Sequence, residues 1–263
     1  MAEPLSIETD ARGVATLRLA RPERHNALNA ELITALTEAA QRVGADPAVR
    51  VVVLTGAGES FCAGGDLEWF RHSVSQDRAG RMDESRRLAD LFAALNSVPK
   101  PVIGRINGQA FGGGVGLISV CDLAIGLAAA PFALTEVRLG LAPANISPYV
   151  VAKIGAGAAR AVMLSGAAFT GARAREIGLL TETAADLEDL DAQVEAAVAA
   201  HLEASSEAVA ATKALIAAVD GEPPNSMGDY TAGVLADVWD SADGRTGIEC
   251  FLEKRRPPWR SKR

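Results

Sequence analysis

Residues 99–143 read PKPVIGRINGQAFGGGVGLISVCDLAIGLAAAPFALTEVRLGLAP, and the architecture follows from this stretch. An apolar run over 101–106 ends at Asn107-Gly108, and three consecutive glycines, Gly112, Gly113 and Gly114, come shortly after. A second apolar segment closes at Cys121-Asp122, and a third delivers Glu136. Short apolar runs bounded by turn residues predict strands covered on both faces. Glycines between a strand and a helix let backbone approach a ligand closely. Glycines and carboxylate alike stand beside apolar surface, so chemistry is expected here.

Working outward, residues 50–55 (with VVVL inside) predict another buried strand, feeding the loop Gly56-Ala-Gly-Glu-Ser-Phe-Cys-Ala-Gly-Gly-Asp66. Residues 5–9 and 14–20 predict a hairpin turning at 10–13. Asn29 is the expected N-cap of a helix to about Val43, with Leu32, Leu36 and Val43 inward and Gly44 and Pro47 ending it. A helix is predicted over 84–96, with Leu88, Leu91, Phe92 and Leu95 on one face, whereas 69–83 is polar and without period and predicts an irregular or mobile segment. Strand, loop and helix succeed one another twice at similar spacing, which implies an α/β architecture with crossover units. Downstream, helices are predicted over 144–154, 158–165, 172–178, 190–202, 206–219, 226–241 and 244–253, with a break at Gly221-Glu-Pro-Pro224. This alanine-rich third reads as a separate layer suited to packing against another subunit.

The 263 residues allow one large domain, and 49% hydrophobic with 22% charged residues gives a globular chain. A net charge of -7 disfavours nucleic acid as the partner, although the ending from Glu253 to Arg263 is strongly basic. Three unpaired-looking cysteines, Cys62, Cys121 and Cys250, point to a reduced compartment. The opening MAEPLSIETD has neither a basic leader nor an apolar core, and no stretch has the length of a membrane span, so the expectation is a cytoplasmic protein with no membrane partner.

Gly112-Gly-Gly114 reads either as a tight turn or as a helix start whose N–H groups hold an anion. It fits neither a dinucleotide fingerprint nor a phosphate-binding P-loop. Phe61-Cys-Ala-Gly-Gly-Asp66 is a second glycine turn after a buried strand, and two such turns can aim two N–H groups at one oxygen. Cys62 is expected to be a packed thiol and Asp66 a cap. Glu136 reads either as a surface residue partnered by Thr135 or Arg138, or as a carboxyl in apolar surroundings with a pKa suited to proton transfer. Asp122 is expected to cap or to form an ion pair. His25, His72 and His201 lack metal-ligand spacing, so no metal is expected. No Gly-x-Ser-x-Gly elbow occurs.

At His25-Asn-Ala-Leu-Asn29, Ser60-Phe-Cys-Ala-Gly-Gly-Asp66, Pro101-Val-Ile-Gly-Arg-Ile-Asn-Gly108, Gly112-Gly-Gly114, Cys121-Asp122 and Phe251-Leu-Glu-Lys-Arg255, the chain resembles the crotonase, or enoyl-CoA hydratase/isomerase, superfamily. The resemblance implies a spiral of ββα units with a helical C-terminal region, divided here into a core with the acyl-CoA site over 1–200 and a trimerisation region over 201–263. It implies a homotrimer or a dimer of trimers. It also implies an acyl-CoA thioester as partner, with CoA carried by the substrate and no separate cofactor. The thioester oxygen is then expected between the N–H groups of Ala63 and Gly113, which stabilise an enolate. CoA is expected to bend around Arg24, His25 and Ala27, with its adenine near Ala63, Gly65 and Asp66, and Lys254 is expected at its phosphates. Trp69, Leu88, Leu141, Ala144 and Asn145 are the expected acyl pocket.

One departure limits the activity. Hydratases of the best-known type use two glutamates; the second matches Glu136, and the first falls at Gly116, which carries no base. The segment from Leu134 to Val150 resembles bacterial hydratases of branched or carboxylated enoyl-CoAs, of the methylglutaconyl-CoA type. In such an enzyme Glu136 handles both proton transfers, or backbone near Ala144 holds the water. A double-bond isomerase using Glu136 alone is the second reading. An acyl-CoA binding protein without catalysis is the third.

Overall fold

A computed structural model describes residues 3–260. Leu5–Thr9 (β1) and Val14–Leu19 (β2) form the expected antiparallel hairpin. Asn29 caps Ala30–Ala45 (α1), its side chain accepting from the Leu32 N–H at 3.0 Å. Val51–Gly56 (β3) is buried at every position and pairs parallel with β2.

Residues 69–83 differ from expectation. Leu67–Ser75 (α2) and Arg78–Asn96 (α3) are helical, and their caps are carboxylates: Asp66 accepts from the Glu68 N–H and Asp77 from the Gly80 N–H, both at 2.8 Å. α2 buries no residue, although Leu67, Phe70 and Val74 recur along it at helical spacing.

Val102–Ile106 (β4), Ala110–Phe111 (β5) and Gly113–Ser119 (α4) come next. Leu123–Leu127 (β6), Pro131–Ala133 (β7) and Ser147–Met163 (α5) follow, α5 being broken at Gly155, where φ is +74°. That break divides the helix where two helices were expected. Phe169–Thr170 (β8), Gly171–Glu176 (α6), Glu182–Ala184 (β9) and Leu187–Leu202 (α7) complete the body. The helices Ser206–Val219 (α8), Gly228–Asp240 (α9) and Ala242–Leu252 (α10) end the chain.

The main sheet has the order β1-β2-β3-β4-β6-β9, and a smaller one the order β5-β7-β8. Two isolated parallel bridges, Leu28 with Gly65 and Cys62 with Ala110, extend the smaller layer. Four successive units therefore share one plan: a main-sheet strand, a short extended segment in the second layer, then helix. The segments are Leu28, residues 62–65, β5 and β7, and their helices are α1, the pair α2 and α3, α4, and α5. This is the α/β spiral of ββα units.

The alternation of β-strand side chains divides the core. Val52 and Leu54 face one cluster with Leu32 and Leu36 of α1 and Leu91 and Leu95 of α3. Val51 and Val53 face another with Leu190, Val194 and Val198 of α7. Each fully buried leucine or valine contributes roughly 1.5–3 kcal/mol. Because α7 covers a sheet face through Leu202, the body runs to that residue. Beyond it α8, α9 and α10 pack on one another, and α8 and α9 bury no residue. No helix among the described residues is long and apolar enough to cross a membrane.

Candidate active site

The site forms where the second-layer segments of adjacent units abut. Phe111 N–H donates to the Cys62 carbonyl at 3.0 Å and Cys62 N–H to that of Gln109 at 3.1 Å, which zips loop 60–66 to β5. On its other side the Leu28 N–H donates to Gly64 at 2.7 Å and the Asp66 N–H to Leu28 at 3.0 Å. A Cβ on Gly64, where φ is +88°, would lie 2.7 Å from the Phe111 carbonyl oxygen and 3.6 Å from the Gly113 nitrogen. Only glycine permits that approach.

Accounting for the N–H groups separates the two residues expected as oxyanion donors. Ala63 N–H is engaged, donating to the His25 carbonyl at 2.9 Å, and Ala63 is absent from the cavity wall. The Gly65 and Gly113 N–H groups have no partner among the described residues, and both glycines line the cavity. Gly113 is the first residue of α4, where a helix leaves its N–H unpaired. Alternation along the loop was the available signal: a bridged strand directs every second N–H away from its neighbour.

Glu136 opens a short helical turn, Glu136–Leu139, and its carboxyl lies against Gly112; a Cβ there would stand 2.9 Å from Oε1. Oε2 is buried and has no hydrogen-bond partner among the described residues. Burial pushes the Glu136 carboxyl above the ordinary carboxylate range. Neither expected surface partner is present: Arg138 turns away to the Ser165 carbonyl at 3.2 Å.

A cavity of about 140 Å³ joins Glu136, Gly65 and Gly113 to the expected acyl-pocket residues Trp69, Leu88, Leu141, Ala144 and Asn145. Leu28, Ile33, Phe70 and Ile146 also line it and were not anticipated. Phe70 lay hidden in the stretch read as irregular. Among the described residues Glu136 is the one titratable side chain in the wall.

The place of the missing second carboxyl is filled. A Cβ on Gly116 would collide with Cγ2 of Ile146 and come within 2.9 Å of the Phe92 ring.

Around the expected CoA loop, His25 and Asn26 adopt positive φ, and the His25 Nδ1 and Ser60 Oγ are 2.9 Å apart. Arg24 is exposed and 3.5 Å from Glu68. Ala27 is buried, its carbonyl accepting from Arg21. Asp66 caps α2 and pairs with Arg21 at 2.8 Å. Burial raises its pKa, but the Glu68 N–H and Arg21 outweigh that and hold it low. Cys62 is wholly buried, which pushes its thiol up to about 12, as suits a packed residue. Asp122 pairs with Lys213 at 2.7 Å, the ion-pair role expected of it. No hydrogen bond or ion pair connects Lys254 to these residues within one chain. Its tail is anchored at the opposite end of β3, where Arg50 donates to the Trp259 carbonyl at 3.2 Å and Arg260 pairs with Glu203 at 2.8 Å. Among the described residues no cluster of three or more His, Cys, Asp or Glu is placed to hold a metal ion.

A crotonase-type spiral carrying one buried carboxyl beside two free N–H groups defines the class, and comparison with known proteins agrees. The family model described as enoyl-CoA hydratase/isomerase matches residues 9–262, and the chain belongs to that family. The chain is similar to the enoyl-CoA hydratase ACTT6 of Alternaria alternata, at 40% identity over 68% of this chain and 58% of that protein. It thus spans somewhat over half the length of the Alternaria relatives it matches. Among solved structures it is similar to an enoyl-CoA hydratase from Shewanella pealeana, with 34% identity, TM-score 0.93 and coverage of 97% and 96% of the two chains. Pseudomonas aeruginosa AtuE gives 33% identity and TM-score 0.94, covering 98% of this chain and all of the other.

Proposed function

We propose that this protein carries out proton-transfer chemistry on an enoyl-CoA thioester with Glu136 as its only acid–base group, and that the reaction is hydration. The observation that carries the reading is the buried, unpartnered Oε2 of Glu136, among the described residues the one titratable side chain in a cavity that also presents the free N–H groups of Gly65 and Gly113. The thioester oxygen accepts from these two N–H groups, with Gly65 in the place expected of Ala63. Such donors act where charge develops, and each contributes about 3 kcal/mol to the transition state. Glu136 as carboxylate takes a proton from water as its oxygen adds to C3. The enolate is held at the two N–H groups, and Glu136 returns the proton to C2. The printed names of the relatives support hydration. The CoA moiety follows residues 24–27, Gly65 and Asp66, with Lys254 supplied by a neighbouring copy, and the acyl group, branched or carboxylated, fills the cavity.

A specific observation favours double-bond isomerisation as the second reading. Ile146 and Phe92 make the region beside Gly116 hydrocarbon, leaving no second side-chain base for water. Glu136 then removes a C2 proton from a 3-enoyl thioester and returns it to C4. Paired 2-enoyl- and 3-enoyl-CoA substrates, followed for water addition and for bond migration, test the choice. Hydration of the 2-enoyl series supports the first reading, and migration without a 3-hydroxyacyl product replaces it with the second.

A further inference from the structure

The cavity has a second polar pole, away from Glu136. Ser85 Oγ, on α3, donates to Oδ1 of Asn145 at 2.9 Å. That bond fixes the amide and leaves the two Nδ2 donors of Asn145, a wall residue, with no partner among the described residues. Apart from Asn145 and Glu136, the side chains of this wall are hydrocarbon or aromatic.

Along α3 this pole is offset from the contact at Gly116. Ser85, Leu88 and Phe92 occupy one face of α3 at helical spacing. Phe92 abuts Gly116, within one turn of Gly113, and Leu88 lines the cavity between. Seven residues at the helical rise place Ser85 about 10 Å along α3 from Phe92. Asn145 directly precedes Ile146, whose side chain packs on Gly116, and its bond to Ser85 turns its amide toward the N-terminal side of that contact along α3.

Resting on the reading above, we infer that Asn145, positioned by Ser85, is a specificity-determining residue that selects acyl groups bearing a hydrogen-bond-accepting oxygen beyond the reacting carbons. A plain hydrocarbon chain leaves both Asn145 donors desolvated and unpaired, the arrangement by which a site built for a polar group rejects its apolar analogue.

The test is binding of non-reacting thioesters, which separates it from catalysis by Glu136. Hexanoyl-CoA, 6-hydroxyhexanoyl-CoA and adipoyl-CoA are titrated calorimetrically into the parent, Asn145→Leu, Asn145→Asp and Ser85→Ala, each checked by thermal unfolding. The expected result is at least about tenfold tighter binding of an oxygenated thioester than of hexanoyl-CoA. Asn145→Leu and Asn145→Asp abolish the preference for adipoyl-CoA, and Ser85→Ala reduces it several-fold. No preference in the parent, or one that survives Asn145→Leu, overturns the inference. A fall in turnover on Asn145→Leu with unchanged binding ratios assigns the amide to water and overturns it as well. Loss of turnover on changing Glu136 leaves these ratios untouched, so the two readings fail separately.

Discussion

Cγ2 of Ile146 occupies the space in which any side chain at Gly116 would have to begin. The absent second carboxyl is thus a packed position. Ile146 directly precedes α5 and is itself buried, and Phe92 closes the same space from α3. The surviving carboxyl of Glu136 leans on Gly112, whose φ of +47° and missing side chain make room for it.

Adding a methyl group at Gly116 therefore overpacks the core. Gly116→Ala is expected to cost about 1–3 kcal/mol, and chemical denaturation measures it. Adding Ile146→Ala relieves the collision and recovers part of the loss. A Gly116→Ala protein as stable as the parent contradicts the packing described.

The oxyanion assignment predicts different outcomes at neighbouring residues. Replacing the Gly65 amide by an ester, through incorporation of an α-hydroxy acid, removes the N–H without adding bulk. It is expected to lower kcat by about 10²–10³-fold with folding intact. The same change at Ala63 removes the hydrogen bond to His25 and costs about 1 kcal/mol of stability instead. The reverse pattern restores Ala63 as the donor.

Glu136 leaves a signature in pH dependence. Burial raises its pKa above the unfolded value, so the native state retains a proton that the unfolded chain has lost. Its contribution to stability is complete below the ordinary carboxylate range and is lost as pH rises through the native pKa. Glu136→Gln removes that loss. Its unfolding temperature relative to the parent should improve as pH rises from about 4 through the raised native pKa and level off beyond it. A difference that stays flat over this range contradicts the burial of the charge.

These consequences show what sequence could and could not reveal. The α/β crossover units were legible because strands buried on both faces write unbroken apolar runs, and Asn29 and the glycine turns mark where loops give way to helices; the spiral followed only from the resemblance to the crotonase superfamily. Glu136 and five wall residues, Trp69 among them, were reachable because family motifs fix their order. Helix α2 was not, since it is nine residues long and buries none of them. Which N–H of loop 60–66 is spent was not legible either, since it depends on the bridge between Leu28 and Gly65. Nor could Gly116 show that Ile146, 30 positions on, fills its space.

The C-terminal helices predict self-association. Leu235, Trp239, Phe251 and Leu252 are all more than half exposed, Phe251 at 78%. Such apolar surface marks an interface, and we propose that residues 201–263 form a trimer contact. Sedimentation should give a trimer or a dimer of trimers for the parent and smaller species for Trp239→Lys with Phe251→Glu. A parent that sediments as a monomer contradicts the proposal.

The single-carboxyl account is tested most directly by steady-state turnover of Glu136→Gln, with acyl-CoA affinity measured on the same protein. Affinity should stay within about threefold of the parent, and kcat should fall by at least about 10²–10⁴-fold, the range for loss of a general acid–base group. Retained turnover with the folded variant would show that the proton moves through another group, and the account would be wrong.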